Sequence, residues 1–335
     1  MMFLTLQTLM RASALACSVA WLLAANTSVA QAQQAPPTAR SGKPVTLVVP
    51  YGAGGSTDIL ARIMAQHLPA VSGQAAIVEN RTGGGGLVGW DSVARATPDG
   101  HTVLTNEISF PISAALLPSM PFDPKTAFAH LTIAASVPHV LVVHPSLPVN
   151  NLREFVAYAK ANPGKLNYGS GGNGTNTHMG AELFKNIAGV FSTHIPYRGG
   201  GPALQAVLAG DVQWMTTALP GALPHIKSGR IKALLVTANE RSPVAPDIPS
   251  AKELGMNMDM PFWLGFSVPS GTPAAVQAKL QKDMLTVLAL PEVKKRLGDM
   301  GFSVIGSSSE AARLQVEGDM QRWAKLIKAT GIKPD

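Results

Sequence analysis

Residues 45–60 read Val45-Thr-Leu-Val-Val-Pro-Tyr-Gly-Ala-Gly-Gly-Ser-Thr-Asp-Ile-Leu60. A β-branched apolar run stops at Pro50 and a glycine-rich turn follows. Ile59, Leu60, Ile63, Met64 and Leu68 then recur at helical spacing. A strand that passes straight into a helix through glycines belongs to an α/β unit, with the strand inside a sheet and the helix on its face. The same turn gathers unpaired backbone N–H groups and the positive end of a helix dipole at one point, which suits a small anion. Leu166-Asn-Tyr-Gly-Ser-Gly-Gly-Asn-Gly-Thr-Asn-Thr-His178 repeats the device. Two such turns on two lobes would clamp a carboxylate-bearing molecule.

Strands and helices alternate around the first turn. Val45–Val49, Ala75–Val78 and Thr102–Thr105 read as strands, Ile59–Leu68 and Leu87–Arg95 as helices, and Pro98-Asp-Gly100 as a turn. This βαβαβ order predicts a parallel sheet with helices on its faces. A second unit starts near His144. Its helices are expected at Leu152–Ala161, around Met179–Ile187 and at Pro202–Ala209, the last capped by Gly210. Its strands are expected at Leu166–Tyr168, His194–Pro196, Val212–Thr216 and Ile231–Val236. After a strand at Leu264–Val268, Thr272-Pro273 opens a helical end with a capping box at Ser307 and Glu310. The expected architecture is α/β and two-lobed. Lobe 1 comprises residues 43–142 and 266–335, with the C-terminal helices packed back on it, and lobe 2 comprises 143–265. The chain would cross between lobes near Val140–Val143 and Leu264–Val268.

The N-terminus reads as a secretory signal. Arg11 precedes an apolar segment from Ala12 to Ala25, and Ala30-Gln-Ala32 is a small-x-small cleavage site. That segment is shorter than the ~20 residues a membrane span needs. Cys17, the only cysteine, lies inside the signal, so the exported chain has no disulfide or thiol chemistry. The formal net charge of +7 favours anionic ligands. The basic residues are scattered, with no run longer than Lys294-Lys295-Arg296, and this together with export argues against nucleic acid.

Several motifs carry alternatives. Gly52-Ala-Gly54-Gly55 is half of a dinucleotide fingerprint, but Thr57 stands where a third glycine is needed, although Glu79 sits where a ribose-binding acid would. Asp58 either stabilises the first helical turn or meets a ligand amine. Ser56 and Thr175 each put a hydroxyl and an N–H beside a helix start. Arg198, before Gly199–Gly201, either forks onto a carboxylate or pairs across the domain. His178 reads as a packed or surface histidine, and Phe262 and Trp263 either flank an aromatic ring or fill a core. Glu79-Asn80-Arg81, before Gly83–Gly86, either supports the hinge side of the first lobe or forms a surface turn. The eight histidines show no metal-ligand spacing, and there is no Walker, GxSxG or paired-carboxylate pattern. No metal, cofactor or catalytic set is therefore expected.

Taken in order, Pro50–Asp58, Val78–Gly86, Tyr168–Gly174 with His178, Ile195–Pro202, Pro224–Arg230, Asp247–Pro249 and Ser267–Pro273 resemble the solute-binding proteins of tripartite tricarboxylate transporters, the Bug family. The resemblance runs along essentially the whole chain beyond the signal. It implies a periplasmic, type II-like binding protein, each lobe a sheet flanked by helices, with a hinge of crossing strands. It implies a monomer that closes on a small carboxylate, partly through waters, and passes it to membrane permease subunits. Two departures stand out. Thr216-Thr217-Ala218 follows Trp214-Met215 where relatives often have an aspartate and an asparagine, and Thr105-Asn106-Glu107 stands where small residues and a histidine are common. The first departure removes an acid from the cleft, which would disfavour an amine-bearing ligand and favour a plain di- or tricarboxylate or an aromatic carboxylate.

The expected ligand donors are Gly54, Gly55 and Ser56 on one loop and Ser170, Gly171 and Thr175 on the other. Arg198 is expected to add charge, with Tyr51, Asn106 and Thr217 shaping the pocket. An exported Rossmann-like enzyme and a ligand sensor for a membrane kinase remain the alternative readings.

Overall fold

The computed structural model describes residues 42–258, 260 and 262–333. The expected signal at 1–32, with Cys17, lies outside the described residues.

Eleven strands and ten α-helices alternate along the described chain: β1 Val45–Val49, α1 Ser56–Ser72, β2 Ala76–Asn80, α2 Leu87–Ala94, β3 Thr102–Glu107, α3 Ser109–Leu116, β4 Phe128–Val137, β5 His139–Val143, α4 Leu152–Ala161, β6 Asn167–Ser170, α5 Asn176–Ala188, β7 Thr193–Pro196, α6 Gly200–Ala209, β8 Trp214–Ala218, α7 Leu219–Lys227, β9 Lys232–Val236, β10 Phe262–Pro269, α8 Ala274–Ala289, α9 Pro291–Asp299, β11 Ser303–Val304 and α10 Ser309–Thr330. They form two sheets flanked by helices. The first has the order β11-β4-β10-β3-β1-β2 and the second β7-β6-β8-β5-β9.

In the first sheet β1 lies between β2 and β3, parallel to both. Leu47, Val48 and Val49 are completely buried, as a β-branched run with helices on both faces of its sheet should be. Helix α1 turns Leu60, Ile63, Met64 and Leu68 onto the core and ends where Gly73 adopts the left-handed conformation. The sheet is mixed rather than parallel, because β10 enters antiparallel between β3 and β4 and β11 pairs antiparallel with β4. Strand β10 comes from the C-terminal third of the chain and brings the last helices with it. Helix α10 packs on α3 and β4, and α8 packs on α1. Trp263 of β10 donates its Nε1–H to the buried Asp319 of α10 at 2.7 Å. The cap of α10 is Ser308, whose side chain accepts from Ala311 N–H, one residue later than expected. Ser307 instead accepts from Ile133 N–H.

The chain leaves the first sheet at Pro138, between β4 and β5, and returns between β9 and β10. The expected crossing segments at 140–143 and 264–268 are strands lying wholly within the second and the first sheet, respectively. Apolar residues run through both sides of Pro138, so periodicity could not mark the change of sheet. Proline cannot donate to a ladder, and the break falls on it. The Pro138 carbonyl instead accepts from Leu219 N–H.

Candidate functional site

Helix α1 begins where the C-terminal end of β1 opens between the two sheets. Gly54, at φ +88°, turns the chain. Gly55 is the N-cap and has no side chain with which to cap the helix. Asp58 does not reach back to cap the first turn. It is buried, and its carboxylate accepts from Gly54 N–H, Asn80 Nδ2 and two N–H groups of Arg62, at 2.9–3.0 Å. Burial would raise its pKa, but those hydrogen bonds outweigh it and hold Asp58 below its usual range. Asp58 thus fixes the turn and has no lone pair left over for a ligand amine. The dipole and the first-turn amides of α1 stay available.

The second loop is organised in the opposite way. Thr175 caps α5 by accepting from His178 N–H, and its hydroxyl donates to Gly172 O at 2.6 Å. Gly171 N–H donates to Thr177 Oγ1 at 2.8 Å, and Asn176 N–H donates to Ser109 Oγ at 2.9 Å. The donors of this loop are used in its own construction and in holding α3 of the first lobe.

The two loops face each other across one cavity. It is lined by Tyr51, Gly52, Gly54–Asp58, Glu107 and Ser109 from the first lobe. Gly171, Thr175–Thr177, Gly200, Leu204, His139, Thr217, Ala218 and Gly221 line it from the second lobe, with Phe262 of β10 completing the wall. About 40 Å³ is open to the centre of a water-sized sphere, which corresponds to roughly three water positions. Four hydrogen bonds hold the lobes together around it. They are Gly52 N–H to Arg198 O at 2.8 Å, Asn176 N–H to Ser109 Oγ, Asn176 Nδ2 to Glu107 Oε2 at 3.1 Å, and Ser113 Oγ to Gly174 O at 3.2 Å.

Several buried polar atoms on the cavity wall lack a partner. These are Ser56 Oγ, Tyr51 OH and both ring nitrogens of His139. Orphaned buried polar atoms are costly, and their convergence on one enclosed space marks a site for a polar solute. Burial lowers His139 to about 3, so its ring is neutral and offers one donor and one acceptor. Glu107 is also buried here. It accepts from Ser109 N–H at 3.1 Å as well as from Asn176. Burial raises its pKa to about 7 against those hydrogen bonds. Tyr51 OH lies near the same carboxyl without closing a hydrogen bond. Burial first, then the Glu107 charge, pushes Tyr51 well above its usual range.

Of the residues expected to bind, Tyr51, Gly54, Gly55, Ser56, Gly171, Thr175 and Thr217 line this cavity. The roles of several differ from expectation. Gly54 N–H is held by Asp58, and Gly171 N–H by Thr177, so neither is free for a ligand. Ser170 is buried behind the loop, where its hydroxyl accepts from Gly172 N–H and meets His194. Arg198 is exposed and does not line the cavity; its carbonyl, not its guanidinium, serves the site. Asn106 is buried with Nδ2 unpartnered, yet its neighbour Glu107 faces the cavity. Adjacent strand residues point to opposite faces, so a shift of one position exchanged the two. Glu107 puts an acid on the cavity wall that the reading of the one lost at Thr216-Thr217 did not weigh. Phe262 lines the cavity, whereas Trp263 turns away to Asp319. Asn80 supports the first loop by donating to Tyr51 O, while Glu79 and Arg81 pair at the surface.

Sequence reasoning passed over His139, Ser109, Asn176 and Thr177 as site residues. A signal existed for Glu107: it closes a strand that runs parallel to β1, so its carboxyl emerges at the strand end where α/β folds place their ligands.

Residues 60–332 match the family described as "Tripartite tricarboxylate transporter family receptor". Among solved structures, the periplasmic binding protein BugD is 32% identical, with 88% of this chain and all of that chain covered at a TM-score of 0.86. MatC from Rhodopseudomonas palustris with bound malate is 31% identical over 85% of this chain and 98% of its own, at a TM-score of 0.82. R. palustris Rpa4515 with adipate is 33% identical over 87% of this chain and 98% of its own, at a TM-score of 0.83. Shared sequence, a shared pair of sheets and a polar cavity between them lead to one conclusion: this chain belongs to the tripartite tricarboxylate transporter receptor family, the Bug-type periplasmic solute-binding proteins.

Proposed function

We propose that this chain is an exported receptor that captures a small carboxylate between its lobes by hinge closure and delivers it, as a monomer, to a tripartite tricarboxylate-type permease. Residues 1–32 serve as its export signal. The observation that carries this reading is the uncapped N-terminus of α1, aimed into a cavity whose Ser56 and His139 polar atoms lack partners. A ligand carboxylate there takes the first-turn amides and the Ser56 hydroxyl, and the helix dipole adds to the attraction. The relatives solved with malate and adipate support a carboxylate as the common element.

Pro138 and the segment after β9 are the two connections about which the lobes would open, and the inter-lobe hydrogen bonds at Gly52, Gly174 and Asn176 are what closure gains. Charge-assisted bonds contribute about 1.5–3 kcal/mol each. Three or four of them, less the cost of association, support micromolar binding, about −8 kcal/mol.

A thermal-shift screen of the purified chain against di-, tri- and aromatic carboxylates tests the reading, since a ligand that binds only the folded form raises apparent stability. At least one carboxylate is expected to raise the melting temperature in proportion to the logarithm of its concentration. A flat response across the panel contradicts the proposal. Uptake of the active compound lost on deletion of the gene would establish delivery; unchanged uptake would leave the chain a sensor.

A further inference from the structure

Glu107 is the one acid lining the cavity that is not tied to a cation: Asp58, the other, is bound by Arg62. Everything held against Glu107 by a hydrogen bond is a donor, the N–H of Ser109 and the amide NH₂ of Asn176. Donors of this kind favour the carboxylate, while burial opposes them and leaves Glu107 raised to about 7, so the free protein holds it partly protonated near neutral pH. Each lobe supplies one of these donors, so the carboxylate is assembled as the lobes close. The cavity therefore has two poles of opposite preference, the amide-rich start of α1 and the Glu107 carboxylate. A ligand that carries a second carboxylate toward Glu107 sets two like charges together, and one of them must take up a proton. An ammonium group there meets a charge complement without any proton uptake.

Resting on the receptor reading above, we infer that Glu107 selects carboxylates bearing a cationic nitrogen at their far end, in preference to fully ionised dicarboxylates of the same span. Ser56 and the α1 amides hold the carboxylate, and Glu107 holds the ammonium. His139, neutral beside Phe262, supplies the acceptor that a second ammonium proton needs. The titratable and polar groups sharing this space are Tyr51 beyond β1, Ser109 on α3, Asn176 on α5 and His139 on β5; Tyr51 and His139 stay neutral around pH 7, leaving Glu107 as the group that titrates there. Capture of the ammonium leaves Glu107 ionised. The proton carried by the protonated fraction of the free protein goes to solvent, whereas capture of a dianion must draw a proton in.

The test is calorimetric titration of the full chain with three pairs matched in carbon chain: β-alanine and malonate, γ-aminobutyrate and succinate, δ-aminovalerate and glutarate. The amino acid of the best-fitting pair is expected to bind more tightly than its dicarboxylate. Glu107→Gln, which keeps an oxygen for Ser109 and Asn176, is expected to weaken the amino acid by about ten- to a hundredfold, the loss of one charge-assisted bond, and to leave the dicarboxylate unchanged or tighter. In the unmutated protein, titrations in buffers of different ionisation enthalpy near the Glu107 pKa should show proton release for the amino acid. This measurement stands even if the variant fails to fold. Tighter dicarboxylate binding with proton uptake overturns the inference about Glu107 while leaving the receptor reading intact. No binding by either series, while another carboxylate in the broader screen binds, overturns the inference about Glu107 alone; no response to any carboxylate overturns both.

Discussion

Gly201 separates closure of the cavity from folding of the lobes. It lies in the first turn of α6 in the second lobe, its φ is not positive, and alanine is sterically allowed there by the local backbone. Within its own helix, alanine is the better residue by up to about 1 kcal/mol. Across the cleft the situation reverses. A Cβ on Gly201 would stand 2.1 Å from the carbonyl oxygen of Ala53 in the opposite lobe, whereas the tightest ordinary Cβ contacts lie at 3.0–3.4 Å. The gap must widen by about 1 Å to accept it. The four hydrogen bonds between the lobes, at 2.8–3.2 Å, would then pass beyond bonding distance. At about 0.5–1.5 kcal/mol each, their loss takes roughly 2–6 kcal/mol from closure, and affinity for a ligand enclosed between the lobes falls by about 30-fold to about 20,000-fold. Gly85 makes an equally close approach to Asn173 O, but at φ +65° a side chain there strains its own backbone, so Gly201 gives the cleaner experiment. Circular dichroism should show an intact fold for Gly201→Ala. Solution scattering should show a larger radius of gyration than the unmutated chain with ligand present, and calorimetry should show the affinity loss. A folded variant that binds with unchanged affinity would refute the reasoning, because the lobes would not need to meet at Ala53 and Gly201.

The two glycine loops should respond differently to loss of a hydroxyl. Ser56→Ala removes an unpartnered group and should leave the melting temperature of the ligand-free chain unchanged while weakening carboxylate binding by about 1.5–3 kcal/mol, measured by calorimetry. Thr175→Ala removes the cap of α5 and should lower ligand-free stability by about 1 kcal/mol in a urea titration. Glu107 carries a raised folded pKa of about 7 against an ordinary 4.5, so its contribution to stability is fully present below about 4.5 and is lost as pH rises through about 7. His139, lowered to about 3, works in the opposite direction: its contribution is present above its ordinary 6.5 and is lost as pH falls through about 3. Replacing Glu107 by Gln removes only the first dependence. The stability of the variant relative to the unmutated protein should therefore increase across that range, by up to about 3 kcal/mol, when both are melted without ligand from acid to mildly alkaline pH. A difference that stays constant with pH would show that Glu107 is not buried as an acid.

Much of the frame was readable because it is written in local chemistry. Val45–Val49 is uniformly apolar and β-branched, and it is the buried strand beside which the first helix starts. Leu152–Ala161 has the apolar spacing and Asn151 cap of a short helix, and the structure ends it at the expected residue. Gly210 terminates α6 in the left-handed conformation. What depends on partners distant in sequence was not readable. Strand β4 and the antiparallel entry of β10 follow from pairing between segments more than a hundred residues apart, and no local pattern encodes which neighbour a buried strand will take. The chemistry of the site divides in the same way. The position of both glycine loops on one cavity was legible from their shared strand-turn-helix form. The spending of one loop's donors on itself, through Thr175 and Thr177, was not, because a hydroxyl beside a helix start looks the same whether it caps the helix or awaits a ligand. Arg198 shows the limit most plainly. A cation before a glycine run fits an anion site by composition, yet in the bend between β7 and α6 the residue is exposed and only its carbonyl meets the first loop. Glu107 and His139 entered the cavity from a strand end and from the change of sheet at Pro138, places that only the assembled fold defines.

A crystal structure of the chain grown with the carboxylate that most raises its melting temperature decides the matter. The expected density lies between the lobes, with a carboxylate within hydrogen-bond distance of Ser56 Oγ and the first-turn amides of α1, and Glu107 at the other end of the ligand. Density on an outer surface, or an occupied cleft with the α1 amides still facing only water, would contradict it.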